Sequence, residues 1–156
     1  MASPEALRGK LQKDIDLKSS AADYYKLWRK ESHKIPTASS KNIQAVALHE
    51  GDWHTNGAIK RWNYTLDGKS AVFKEKMEFD DANMTVTIHG MEGDVFDEYK
   101  VYRGTCKVVP KNKGSVAKLG VEYERVNEDA PIPNKYMDFF VSVSQDIDAH
   151  AYTAST

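Results

Sequence analysis

Lys60 and Glu75 stand at equal distances on either side of Asp67-Gly68. An Asp-Gly pair between alternating apolar runs predicts a two-residue type I′ turn, because both central positions then need positive φ. Such a turn fixes the register: Leu66 faces Lys69, Tyr64 faces Ala71, Trp62 faces Phe73, and Lys60 faces Glu75. Side chains alternate along a strand, so all of these share one face with Met77. If that face is internal, the two charges are expected to pair, since an isolated buried charge is very costly. Two chemistries stay open. The pair is a salt bridge that holds the hairpin, or it is a polar anchor for a ligand oxygen or an acid–base group with a displaced pKa. Lys60 and Glu75 are therefore the candidate catalytic residues.

Other reactive residue types are sparse. Gly51 to Gly57 bound a polar loop, but it lacks the Gly-Lys-Ser/Thr ending of a phosphate-binding loop and precedes a strand. Two well-placed turn glycines explain it more simply. Of the five histidines, His49 and His54 flank Glu50 and Asp52 at a spacing that fits no zinc pattern. No metal and no cofactor is expected. Tyr64, Tyr102 and Tyr123 project to one face by parity, as a pocket needs that packs an apolar molecule and fixes its oxygens; satisfied core tyrosines would look the same. Cys106, the only cysteine, lies on that face with no histidine in view and reads as a small buried hydrophobe.

The elements that position these residues are largely strands. Leu7, Leu11, Ile15 and Leu17 alternate as a strand. Ser20-Ala21-Ala22-Asp23 has capping-box spacing and opens a short helix with Tyr24, Leu27 and Trp28 on one face. Pro36 is expected to end that helical region, with one further helical turn around Thr37–Ser40. Asn42 to His49 forms the next strand, followed by the Asp67-Gly68 hairpin. After a turn at Asp80-Asp81-Ala82-Asn83, Met84, Val86 and Ile88 join the face of Trp62. After Gly93-Asp94, a strand to Val109 carries Tyr102, Cys106 and Val108 inward. Ser115 to Val126 carries Ala117, Leu119, Val121 and Tyr123. Beyond Ala130-Pro131-Ile132-Pro133, Tyr136, Phe139, Phe140, Val143, Ile147 and His150 recur at helical spacing over about five turns. About seven antiparallel strands and one long terminal helix make an α+β domain, expected as one unit over residues 1–156.

Composition narrows the function classes. The 156 residues carry a net charge of −1 with 29% charged side chains, so no basic excess points to nucleic acid and no cationic amphipathic stretch to a membrane surface. The N-terminal residues lack the apolar run of a signal peptide. One cysteine precludes an internal disulfide and fits a reducing compartment, so a cytoplasmic location is expected.

Three segments, Leu48-His49-Glu50-Gly51-Asp52-Trp53-His54-Thr55-Asn56-Gly57, Met91-Glu92-Gly93-Asp94-Val95-Phe96-Asp97-Glu98-Tyr99 and Val121-Glu122-Tyr123-Glu124, resemble the plant major latex proteins, a branch of the birch-pollen-allergen superfamily. The resemblance spans nearly the whole chain. It implies a curved sheet wrapped around the terminal helix and enclosing a hydrophobic cavity. It also implies a small hydrophobic partner of terpenoid, sterol, flavonoid or hormone-like character, a role in defence or specialised metabolism, and a monomer or weak dimer. On that fold the expected ligand-binding residues are Trp62, Tyr64, Phe73 and Met77 on the hairpin, Ile88, Tyr102, Cys106, Leu119 and Tyr123 on later strands, and Tyr136, Phe140 and Val143 on the helix. Relatives in the superfamily also catalyse cofactor-free cyclisations and isomerisations, so an enzyme using the same cavity is the alternative. The hormone-receptor branch shares the fold, but its gate-and-latch motifs are not recognised here.

Overall fold

The computed structural model describes residues 3–154. A one-turn helix α1 (Pro4–Leu7) leads into β1 (Arg8–Leu17), followed by the helices α2 (Ala21–Arg29) and α3 (Ile35–Ala38). Six strands follow: β2 (Ile43–Glu50), β3 (Ala58–Leu66), β4 (Lys69–Asp80), β5 (Thr85–Gly93), β6 (Tyr99–Pro110) and β7 (Ser115–Arg125). The chain ends in α4 (Asn134–Ala154). All pairings are antiparallel, and the sheet order is β1-β7-β6-β5-β4-β3-β2, so the first strand lies against the last.

Local chemistry accounts for these elements. Asp67 and Gly68 both take positive φ, 53° and 75°, and the β3–β4 register pairs Leu66 with Lys69, Trp62 with Phe73 and Lys60 with Glu75. The Ser20 side chain accepts a hydrogen bond from the Asp23 N–H at 3.1 Å and starts α2, whose inner face buries Tyr24, Leu27 and Trp28. Pro36 differs from expectation. It stands in the first turn of α3, where its missing N–H would have no helical partner anyway, and so begins a helix. β6 starts later than expected: after Gly93, residues Asp94–Asp97 form a 3-10 turn, and the strand begins only at Tyr99. Gly93 makes the turn possible, with φ 135° and its α-carbon so close to Val72 that a side chain would strike the Val72 carbonyl.

α4 packs its Tyr136, Phe140, Val143 and Ile147 stripe toward the sheet. Its far half is clamped by Asp148, a buried carboxylate that accepts from the backbone N–H groups of Lys18 and Ser19, each at 2.9 Å, and from the Ser19 hydroxyl at 2.6 Å. The corner between β1 and α2 is thereby fixed to the helix. α2 contacts both α4 and β6, closing one end of the enclosure.

Candidate functional site

Between the sheet and the first half of α4 lies a cavity of about 710 Å³ of unfilled space, its mouth included. Each wall follows from strand parity or helical spacing. β3 contributes Trp62 and Tyr64, β4 Phe73 and Glu75, β5 Ile88, and β6 Tyr102 and Gly104. From α4 come Tyr136, Phe139, Phe140 and Val143, with Trp28 of α2, Ile43 of β2 and Val95 of the 3-10 turn completing it. Aromatic rings meet across the space and along its walls: Tyr64 against Phe139 at 5.4 Å, Trp28 edge-on to Phe140 at 6.2 Å, and Tyr102 against Tyr136 at 5.5 Å between centroids.

The sequence-predicted residues divide. Trp62, Tyr64, Phe73, Ile88, Tyr102, Tyr136, Phe140 and Val143 face the cavity. Met77, Cys106, Leu119 and Tyr123 are buried on the predicted side of the sheet but do not line it. Parity assigns a face, and the space beneath that face is only partly empty. Met77 instead places its sulfur 3.5 Å from the Lys60 ammonium. Cys106 lies beside Tyr24, where burial pushes its thiol up to about 12. Leu119 pairs with Cys106 in the solid part of the core. Tyr123 lies edge-on to Tyr99 at 6.0 Å and covers Gly9, where any side chain would collide with its ring.

Five lining residues were absent from the expected set: Trp28, Ile43, Val95, Gly104 and Phe139. Phe139 and Trp28 were legible as members of inward helix faces. Gly104 shares the parity of Tyr102 and Cys106 but offers no side chain to notice. Val95 sits in the turn that was read as strand.

Lys60 and Glu75 are opposed in register and are 0% and 2% exposed, yet no ion pair joins them among the described residues. This corrects the expected salt bridge. The Lys60 ammonium donates to the Ser32 hydroxyl at 2.8 Å and lies 5.9 Å and 5.8 Å from the ring centroids of Trp53 and Phe79. Those partners hold the cation outside the set of cavity-lining residues. Glu75 lines the cavity, and its Oε2 is buried with no hydrogen-bond partner. Burial pushes the Glu75 carboxyl up to about 8; the nearby Lys60 charge and the Trp62 indole offset only part of this. Burial likewise lowers the pKa of Lys60, against the pull of Glu75. The tyrosines are held neutral for the same reason, Tyr64 pushed up to about 12 and Tyr102 and Tyr136 also raised. Burial thus favours the neutral forms of these hydroxyls and of the Glu75 carboxyl in an otherwise apolar wall.

Among the described residues no group of three or more His, Cys, Asp or Glu side chains is placed to hold a metal ion. No helix among them is long and apolar enough to cross a membrane.

Comparison with known proteins agrees with this geometry. Residues 6–154 match the model of the pathogenesis-related protein Bet v 1 family. MLP-like protein 328 of Arabidopsis thaliana is 43% identical over 150 residues, covering 96% of this chain and 99% of that protein. The crystal structure of ginseng major latex-like protein 151 from Panax ginseng superposes with a TM-score of 0.89 at 33% identity, over 93% of this chain and 98% of that one. Norcoclaurine synthase of Thalictrum flavum shares the fold, with a TM-score of 0.78 at 20% identity over 96% and 97% of the two chains.

Proposed function

The chain belongs to the pathogenesis-related protein Bet v 1 family, and from that premise we propose that it binds small hydrophobic metabolites inside the cavity between its sheet and α4. The observation that carries this reading is the wall itself: eight of fourteen lining residues are aromatic, and Glu75 alone among them is acidic or basic. A packed core has no use for such a space, since unfilled volume forfeits contacts. Terpenoid, sterol, flavonoid or hormone-like molecules suit the chemistry, and a cytoplasmic role in defence or specialised metabolism accords with the family resemblance.

Gly104 supplies the test. A Cβ there would sit 3.6 Å from Phe140 and 3.7 Å from Ile88, in ordinary contact, so alanine fits. A leucine must extend into the cavity. The neutral fluorescent probe N-phenyl-naphthylamine should bind the wild type and Gly104→Ala saturably and fail to bind Gly104→Leu. Equal binding to all three would place the probe elsewhere and defeat the reading.

One observation favours a second reading. A protonated carboxyl in an aromatic cavity is a proton donor suited to cofactor-free cyclisation or isomerisation, with Lys60 tuning Glu75 from the neighbouring strand. Under it, Glu75→Gln lowers product formation more than ligand affinity. Saturable binding without turnover of any bound terpenoid favours the carrier.

A further inference from the structure

We propose that Glu75 is the hydrogen-bonding anchor of the cavity, and that it selects, among small apolar molecules, those bearing a neutral carbonyl oxygen. The proposal rests on the cavity-binding reading above and names the chemical class of ligand that reading leaves open.

Three observations carry it. Glu75 lines the cavity, is 2% exposed, and leaves Oε2 with no partner in the protein. Buried polar atoms in native folds are nearly always hydrogen-bonded, so a carboxyl on the cavity wall with an unpartnered oxygen marks where a ligand's polar atom belongs. Two donors stand near it: the Lys60 ammonium is held by the Ser32 hydroxyl at 2.8 Å and by the faces of Trp53 and Phe79, and the Trp62 indole N–H, though it eases the carboxyl's pKa, makes no hydrogen bond within 3.5 Å. The carboxyl is thus left to face the cavity, while a fixed positive charge stands on the next strand.

That arrangement discriminates between ligand classes. Burial favours the protonated carboxyl, and in that form it donates to an acceptor oxygen. Lys60 from β3 and Tyr102 from β6 are the titratable groups whose charges couple to it, and Tyr102 stays neutral. An ammonium ligand would meet the Lys60 charge across the hairpin. A carboxylate ligand would lose its hydration in an aromatic enclosure with no cation lining it. A pure hydrocarbon would leave Oε2 unsatisfied. A ketone or aldehyde on a compact apolar skeleton satisfies Glu75 and the rings together.

A matched pair of monoterpenes tests this: limonene, a hydrocarbon, and carvone, a ketone on the same skeleton. Both are titrated into the wild type, Glu75→Gln and Glu75→Leu, with circular dichroism confirming that each variant is folded. The wild type should bind carvone about tenfold more tightly than limonene, the factor one hydrogen bond of ordinary net strength gives. Glu75→Gln should keep most of that preference through its amide N–H. Glu75→Leu should lose the preference and bind the two terpenes with equal affinity. If the wild type binds both equally, or Glu75→Leu still prefers carvone, the anchor assignment is overturned while the cavity reading stands. If a primary amine on this skeleton binds more tightly than carvone, the ligand class is wrong. If neither terpene binds the wild type, the cavity reading itself falls and the anchor with it.

Discussion

Replacing Glu75 with glutamine should stabilise the protein at neutral pH, and the size of the gain follows from its surroundings. Glutamine keeps the shape and a donor in place of the protonated carboxyl but cannot ionise. In the folded protein the Glu75 carboxyl is raised from 4.5 to about 8 by burial. A raised folded-state pKa contributes stability that is fully present below 4.5 and is lost as pH rises through 8, because the unfolded chain releases its proton first. Within that window the loss runs at about 1.4 kcal/mol per pH unit, so holding the proton at pH 7 costs roughly 3 kcal/mol. The second amide N–H of glutamine has no evident partner, which takes back about 1 kcal/mol. The variant should therefore be more stable than the wild type by about 2 kcal/mol at pH 7 and close to it at pH 5. Urea unfolding followed by tryptophan fluorescence at pH 5, 6, 7 and 8 gives the difference between the two proteins directly. A difference that does not change with pH, or a variant weaker than the wild type throughout, would refute a buried protonated Glu75.

Three further outcomes can be checked by the same unfolding measurement. Lys60→Met removes a buried charge that makes no ion pair, so it should change stability by no more than about 1 kcal/mol; a loss of about 3–5 kcal/mol would restore the broken-salt-bridge reading. Asp148→Ala strips the acceptor from two backbone N–H groups and the Ser19 hydroxyl, and should cost about 3 kcal/mol or more. Gly68→Val forces a β-branched residue to φ 75° and should cost about 1–3 kcal/mol, with no effect on probe binding because the turn lies outside the cavity wall.

Where a local rule was strong, the sequence was enough to place residues. Asp67-Gly68 determines the register of nine residue pairs, from Leu66 with Lys69 out to Ala58 with Met77, and so puts Trp62, Tyr64 and Phe73 on the inner face that the cavity borders. The capping serine Ser20 and the helical stripe of α4 were equally plain. Errors arose where the outcome depended on tertiary surroundings. Pro36 is compatible with either end of a helix, and the chain's path beyond it decided in favour of the start. The strand expected straight after Gly93-Asp94 starts only at Tyr99, because residues Asp94–Asp97 coil into a 3-10 turn where Gly93 passes close to Val72, a contact invisible in one dimension. Met77, Cys106, Leu119 and Tyr123 have the right parity but lie in the filled part of the core. The opposition of Lys60 and Glu75 was correctly placed, yet Ser32, distant along the chain, draws the ammonium away. Register gives neighbours; only packing tells which neighbour a long side chain chooses.

The pairing of β1 with β7 governs the order in which the molecule is made. Leu17 meets Ser115 and Arg8 meets Glu124, so the first strand waits for a partner roughly a hundred residues downstream. On a ribosome adding about 5–20 residues per second, that wait lasts about 5–20 s. The β3–β4 hairpin, closed by a two-residue turn, forms as soon as it emerges. Its apolar face, with Trp62 and Phe73, then stands uncovered until α4 is released. A nascent chain stalled before Ser115 would present both an unpaired strand and a bare aromatic sheet, the kind of surface that recruits chaperones or aggregates.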